Sequence, residues 1–464
     1  MPELPSPHDE GGVPVAMSFG AISLDEEYLA SLDAAGTAED PRTTALRICV
    51  VGSGTRFISG ISYYTYYLSD ALQETFDVSV VLMRRLLPRR FYPGRKRVGA
   101  HITDIETSSI VPTFDGVDWF VVPSLFRAGR FLRRQNPDVV VFQWWTGTVL
   151  HSFLYLLRVA RRSGASVIVE FHEDQDSGET GVPLVERLVR PGLLHLIRSA
   201  QHYVVHSQWD KDRLGAKFGL DPARVTVIPH GPYPIDEIDE AAGESQSRPA
   251  SAPVTQQEDT QEEVTILFFG TIRPYKGAED LVEAFNLLPR NGTIRWRLLA
   301  VGETWEGWEL PAEKIRESAF AGDIEFINRY VTDSELPDLF DRADIVALPY
   351  HRASASGPLH MTMHRGLPVV VTDVGGLVEA AADYSGTVFV PPANPTALAQ
   401  GIVSALDLRD RHHADTHTWD DSRARYTSLI EGIRSARHES RGGNEHKSAR
   451  QGRGMLTLQP IRQR

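Results

Sequence analysis

From Leu46 onward, short and nearly continuous apolar runs alternate with longer segments of helical period. The runs at 47–51, 78–83, 119–122, 139–142, 166–171, 202–206 and 225–228 predict strands. Helical patterns at 62–72, 125–134, 149–162, 184–200 and 208–218 fall between them. Apolar runs of this length without alternation mark strands covered on both faces, as in a parallel sheet. The pattern breaks at 235–263, where nine acidic residues and one basic residue stand among Ala, Ser, Pro and Gln. It then restarts, with strands predicted at 265–269, 296–301, 324–327, 345–348, 368–372 and 386–390. The matching helices are 278–288, 335–341, 360–365 and 395–407. Two such arrays predict an α/β chain with two doubly wound parallel, Rossmann-like sheets facing a cleft.

The domains expected are 45–234 and 264–406, joined by the acidic linker or insertion 235–263. Residues 1–44 read as disordered or loosely attached. A helical segment within 407–436 (419–434) is expected to cross back to the first domain, and 437–464 to be a disordered basic tail.

Composition narrows the classes. At 464 residues with 42 % hydrophobic positions, two cores fit. No stretch of about 18 uncharged apolar residues occurs, so a membrane span is not expected. The start lacks a basic segment followed by an apolar one, which argues against a secretory signal. The single Cys49 excludes a disulfide framework and a cysteine zinc site, in keeping with a cytoplasmic setting. A net charge of −13 argues against general nucleic-acid binding.

Candidate chemistry gathers where strands end. The run 264–269 closes into Gly270, passes Arg273 and Lys276, and opens a helix at Ala278. Unpaired N–H groups and cations at such a junction suit an anion, though the same residues also serve as electrostatic decoration of a helix end. Gly52, Gly54 and Gly60 form a second glycine-bearing strand-to-helix turn, which suits a diphosphate or sugar or merely tight strand–helix packing. Two such turns suggest a phosphate-bearing ligand between two domains. His172 ends a strand, where α/β sheets hold ligands, and acidic Glu173, Asp174 and Asp176 follow it. Trp144 and Trp145 offer faces to an acceptor or belong to the core. His360 and His364 have metal-like spacing but no third ligand in view, so no metal is assigned. In segment 84–97, Arg84, Arg85, Arg89, Arg90, Arg95, Lys96 and Arg97 interleave with Leu86, Leu87, Phe91 and Tyr92. That mixture fits an anionic membrane surface or simply a solvated loop.

The ordered blocks resemble the retaining, GT-B-fold nucleotide-sugar glycosyltransferases of family 4. Gly270 with Lys276 and Gly277 is similar to the family's Gly-x5-Lys-Gly element, and the strand ending at Gly302 to its glycine-loop strand. Ala343-Asp344 through Pro349-Tyr350, Ser356-Gly357, and Gly366-Leu367-Pro368-Val369 through Gly375-Gly376 resemble its donor-site blocks. Phe171-His172-Glu173-Asp174, Val205-His206-Ser207 and Ile228-Pro229-His230-Gly231 resemble its first-domain blocks. The likeness spans about 47–406 and implies transfer of a sugar from a nucleoside-diphosphate sugar to an acceptor hydroxyl with retained configuration, without metal or other cofactor. It implies His172, Arg273 and Lys276 as catalytic. Gly270, Arg273, Lys276, Gly302, Ser356, Gly357, Pro358 and Leu359 become the donor-binding set. Gly52, Gly54 and Gly60 fall near donor or acceptor, and Trp144, Trp145, Glu173 and Asp174 on the acceptor side. The acceptor is a small molecule, a glycan or a lipid-linked species, with contact at the inner membrane face through 84–97. Two departures stand out. The family's Glu-x7-Glu positions are Ala353 and Met361, and its Arg after the loop glycine is Thr271, leaving Arg273 to act instead. A nucleotide-sugar epimerase of the same fold and a non-catalytic nucleotide-sugar-binding protein are the alternatives. A nicotinamide oxidoreductase is disfavoured, because Gly52 to Gly60 lacks Gly-x-Gly-x-x-Gly spacing.

Overall fold

Ile48, Cys49, Val50 and Val51 have no exposed surface, because strand β1 (Arg47–Ser53) lies inside a sheet with helices on both faces. The computed structural model describes residues 45–54, 60–85, 110–118, 120–173, 183–235, 261–290, 292–305 and 307–453. Side chains of 85, 183–188 and 437–453 fall outside that description. Residues 1–44, Asp174, most of 84–97 and nearly all of the acidic 235–263 stretch also lie outside it.

In the first half, β1 is followed by helix α1 (Gly60–Gln73), β2 (Asp77–Arg85) and β3 (Thr113–Asp118). Then come α2 (Val122–Gln135), β4 (Val139–Trp144), α3 (Leu150–Arg162), β5 (Ser166–Phe171) and α4 (Pro183–Ser199). The half closes with β6 (His202–Val205), α5 (Gln208–Phe218) and β7 (Val225–Val227). All strands are parallel, in the order β3-β2-β1-β4-β5-β6-β7.

The second half repeats the plan with β8 (Glu262–Phe269), α6 (Ala278–Leu287), β9 (Ile294–Val301), α7 (Leu310–Glu317) and β10 (Ile324–Ile327). It continues through α8 (Leu336–Asp341), β11 (Ile345–Leu348), α9 (Gly357–His364), β12 (Val369–Thr372), α10 (Leu377–Ala381), β13 (Thr387–Val390) and α11 (Pro395–Ala405). Its strand order is β10-β9-β8-β11-β12-β13, again parallel. Each order reverses beside its first strand, at β1/β4 and at β8/β11, and a crevice opens at the carboxyl ends there.

Three expectations need correction. The strand sought at 119–122 lies at Thr113–Asp118, and Val122 already begins α2. As the sheet edge, β3 pairs on one side only, so Asp115, Gly116 and Asp118 stand where a central strand would be apolar. Helices α7 and α10, of eight and five residues, stand where no helix was predicted. The last helix, α12 (Trp419–Arg453), outruns the expected 419–434 and enters the tail expected to be disordered. No proline interrupts that stretch before Pro460, and its seven Arg, three Glu and three Ala are good helix formers.

The span Leu46–Arg464 forms one compact unit, and named contacts tie its halves together. Glu379 of α10 accepts from the backbone N–H groups of Gln208 (2.6 Å) and Trp209 (2.7 Å) at the start of α5. The Tyr63 hydroxyl of α1 donates to Asp333 ahead of α8. From α12, Trp419 Nε1 donates to Pro232 O (2.8 Å), and Tyr426 reaches the core of the first sheet.

Candidate active site

The loop after β8 turns on two glycines in left-handed backbone, Gly270 at φ 126° and Gly277 at φ 60°. A Cβ on Gly277 would strike the Pro349 carbonyl, so this turn packs directly on the end of β11. Lys276 is thereby directed inward. Its Nζ donates to the Tyr350 hydroxyl at 3.1 Å and lies 4.5 Å from that ring's centroid. A Cβ placed on Gly270 would be 3.4 Å from both Lys276 Nζ and Pro358 Cγ, so those three groups bound one small space. Burial alone would lower the pKa of the ammonium group. Tyr350, Tyr275 and Glu173 outweigh it and raise that pKa, which keeps Lys276 charged. Arg273 lies with its guanidinium 4.3 Å over the Trp305 ring, a cation held at the rim of the same loop.

An anion was expected at the start of α6. The structure moves that position. Helix α6 carries Glu279 and Asp280 in its own first turn, and Asp280 lies 2.7 Å from His351 Nε2. Its positive end is already answered by carboxylates. Helix α9 has no acid in its first turn and is capped by Ser356, whose Oγ accepts from Leu359 N at 3.3 Å. The Ser356 hydroxyl also reaches the Tyr350 oxygen at 3.4 Å, joining the cap to the Lys276 seat. Helix α1 likewise starts without an acid. A Cβ on Gly357 would be 3.9 Å from Gly60 Cα, so the N-termini of α1 and α9 meet across the cleft. Among the described residues, two helix ends without an acid in their first turn and the Lys276 ammonium therefore converge. That arrangement suits an anion.

Across the cleft, the first sheet carries a buried polar cluster. Glu170 on β5 is fully buried, and its Oε1 accepts from the hydroxyls of Tyr64 (2.6 Å) and Tyr426 (2.5 Å). Its Oε2 accepts from Gln143 Nε2 (3.1 Å) and lies 3.6 Å from His172 Nε2. Burial acts to raise its pKa, but the bonds and charges from His172, His206 and Tyr426 prevail and hold it at about 2. His172 Nδ1 meets His206 Nε2 at 3.2 Å, and His206 Nδ1 meets Ile228 O at 3.0 Å. Burial pushes His206 down to about 4 and His360 to about 3, and drives His230 well below the usual histidine range. His230 stacks on His360 of α9, with centroids 4.6 Å apart and planes at 20°, so the cluster continues into the second half.

The expected residues divide. Gly60, Gly270, Lys276, Ser356, Gly357 and Pro358 come together, with Arg273 at the rim and Leu359 buried behind the cap. Gly52 and Gly54 do not open on the cleft. A Cβ on Gly52 would strike Gln143 and Thr65, and Gly54 bonds to Met83 O, so both serve strand packing. Gly302 faces the Gly270 carbonyl and lets the ends of β8 and β9 approach. Trp144 and Trp145 are buried against Phe153 beneath α3, so neither offers a face to an acceptor. His172 is itself buried, with both ring nitrogens turned toward Glu170 and His206. Glu173 is half-buried and interacts electrostatically with Lys276, while Asp174 lies outside the described residues.

Sequence reading gave no role to Tyr350, Glu170, His206 or His230. Tyr350, His206 and His230 stand in motif blocks and were visible there, whereas only the fold brings Glu170 and Tyr350 to their partners. Among the described residues, Glu170, His172 and His206 also have ligand atoms within 4.8 Å of one another. The Glu170 oxygens already accept from Tyr64, Tyr426 and Gln143, and His172 Nδ1 meets His206 Nε2, which leaves His172 Nε2 facing Glu170 Oε2 at 3.6 Å.

Two family descriptions match this chain, "Glycosyl transferase 4-like domain" over residues 59–231 and "Glycosyl transferases group 1" over 263–407. A D-inositol 3-phosphate glycosyltransferase of Streptomyces bingchenggensis is 25 % identical over 267 residues, 52 % of this chain and 56 % of that protein. The O-antigen chain mannosyltransferase B of Escherichia coli is 30 % identical over 40 % of this chain and 50 % of its own length. The chain spans about half the length of these curated relatives. Among solved structures, sucrose-phosphate synthase from Thermosynechococcus elongatus superposes with a TM-score of 0.56 at 17 % identity, covering 87 % of this chain and all of the other. Anabaena HepE in complex with UDP gives 0.52 at 14 %, covering 84 % and 100 %. These likenesses show a GT-B fold.

Proposed function

This chain belongs to the group 1 glycosyl transferases with a 4-like first domain, and on that premise we propose that it moves a sugar from a nucleoside-diphosphate sugar to an acceptor hydroxyl with retained configuration. One observation carries the reading. The N-termini of α1 and α9 converge beside Lys276 Nζ, which matches a diphosphate as leaving group. As the bond from the anomeric carbon to the phosphate oxygen breaks, negative charge grows on the diphosphate. Fixed N–H groups and the ammonium stabilise that charge without reorganising. The acceptor oxygen then bonds to the anomeric carbon from the face the diphosphate leaves. Positions 353 and 361 hold Ala and Met, so neither supplies a carboxylate nucleophile or base. In this reading the departing phosphate oxygen takes the acceptor proton. The donor lies against the second sheet and the acceptor against the first, in the domain division 45–234 and 264–406, with His172 lining the sugar position. No metal is required, because cations and helix ends neutralise the charge.

The further part of the reading is an acceptor at an anionic membrane face. Helix α2 exposes Val122 (57 %) and Phe126 (60 %) beside exposed Arg127, Arg130, Arg133 and Arg134. It begins just after β3, whose Asp118 pairs in register with Arg85, the last residue of β2 and one of the basic residues of 84–97. Apolar and cationic groups together suit anionic lipid.

The test is a thermal-shift screen of nucleoside diphosphates and their sugars, followed by transfer assays on any that stabilise the chain. Lys276→Ala should keep the fold and lower turnover on the order of 100-fold or more, given what a single oxyanion donor is worth. Unchanged transfer in that variant removes the diphosphate assignment. Isomerised donor after incubation without acceptor would favour an epimerase instead, and nucleotide binding with neither transfer nor hydrolysis a binding protein.

A further inference from the structure

The polar cluster on the first sheet has a proton arrangement that its partners dictate. Ile228 O can only accept, so the His206 Nδ1 facing it at 3.0 Å carries a proton. A neutral His206, which burial favours, then leaves Nε2 as an acceptor. His172 Nδ1, 3.2 Å away, must donate to it. That fixes one nitrogen of His172. The other, Nε2, is buried without a hydrogen-bond partner and lies 3.6 Å from Glu170 Oε2. Glu170 receives donors only, from Tyr64, Tyr426 and Gln143, which fits a carboxylate. A bare lone pair on His172 Nε2 would face that anion unpaired, whereas a proton there pairs both.

Among the described residues, the other groups around the ring are engaged elsewhere. Tyr64 of α1 packs edge-on to the ring at 4.6 Å, and its hydroxyl is committed to Glu170. His230 lies 6.4 Å away and bonds to Gly231 O and Tyr233. Tyr426 of α12 is committed to Glu170.

We propose that Glu170 is a positioning residue for His172, holding a proton on Nε2 and thereby fixing the ring at the end of β5. The carboxylate also pins α1 through Tyr64 and α12 through Tyr426, so three elements that border the cleft share one buried anion. This inference rests on the glycosyl-transfer reading only for its consequence in catalysis. The protonation itself is open to measurement without substrate.

The experiment is nitrogen NMR of the full chain labelled with 15N-histidine at pH 7, with the His172 signals identified by their loss in His172→Gln. Both ring nitrogens of His172 should show protonated shifts. In Glu170→Gln, which keeps size and polarity but removes the charge, Nε2 should move to the unprotonated range. An unprotonated Nε2 in the unsubstituted chain overturns the proposal, whether a neutral ring or a bound cation causes it. An Nε2 shift that stays put in Glu170→Gln overturns it as well. The unsubstituted measurement decides alone should Glu170→Gln not fold. Loss of transfer in His172→Ala bears on the glycosyl-transfer reading instead, so the two failures are distinguishable.

Discussion

Lys276 and Tyr350 make one unit out of two sequence blocks 74 positions apart. The lysine was legible as a cation at a strand-to-helix loop, but its seat was not, since nothing local to 276 announces a phenol donated by the end of β11. Removing that oxygen while keeping the ring tests the seat. Tyr350→Phe should fold normally and weaken affinity for the stabilising nucleotide about 5-fold, the worth of one hydrogen bond near 1 kcal/mol. Isothermal titration of both proteins with the same nucleoside diphosphate reads it, and equal affinities would show that Tyr350 does not organise Lys276. The tryptophans teach the opposite lesson. Trp144 and Trp145 looked like ligand faces because of their type and their place after a strand, yet the strand is central and α3 covers its end.

At the scale of elements, buried strands were read almost to the residue, because a strand covered on both faces must be apolar throughout. Strands β10 and β11 begin and end where the pattern predicts. Edge strand β3 was misplaced by that same rule. Helix N-termini show a subtler gap. The sequence offered the starts of α6 and α1 as anion sites, and the acids that neutralise α6 were in plain view as Glu279 and Asp280. Bringing in α9 required seeing that its N-terminus meets that of α1. The Ser356 cap holds this end, so Ser356→Ala should cost about 1 kcal/mol of stability, within the range of lost caps. Urea unfolding measures it, and an unchanged midpoint would mean the cap contributes nothing.

For the whole molecule, the interface between halves is lined with neutral, buried histidines, and this sets the response to acid. His206 and His360 are depressed to about 4 and about 3 from an ordinary 6.5, and His230 is depressed further in the same direction. The unfolded chain binds protons there before the folded one does. Their contribution is therefore complete above pH 6.5 and is lost as pH falls through 4 toward 3. Glu170, held near 2 against an ordinary 4.5, adds a loss of the same sign at still lower pH. Calorimetry should show a Tm steady from pH 8 to 7 and falling steeply below 6.5, with a shallower fall in His360→Gln. A flat Tm down to pH 4 would contradict this. The membrane part of the reading belongs to this scale too. The chain should cosediment with vesicles of phosphatidylglycerol but not of phosphatidylcholine, and the double change Val122→Glu with Phe126→Glu should reduce that binding several-fold. Equal binding to both vesicles would remove it.

Sequence alone determined the class of fold, the two parallel arrays and the place of the Gly270–Lys276 loop, because burial on both faces and strand-end geometry impose local patterns. Tertiary structure decided which helix ends meet, what seats Lys276, and that one buried carboxylate on β5 gathers Tyr64, His172 and Tyr426. Those partners lie as many as 256 positions apart. Their pairing depends on the packing of elements, and no spacing within a single segment encodes it.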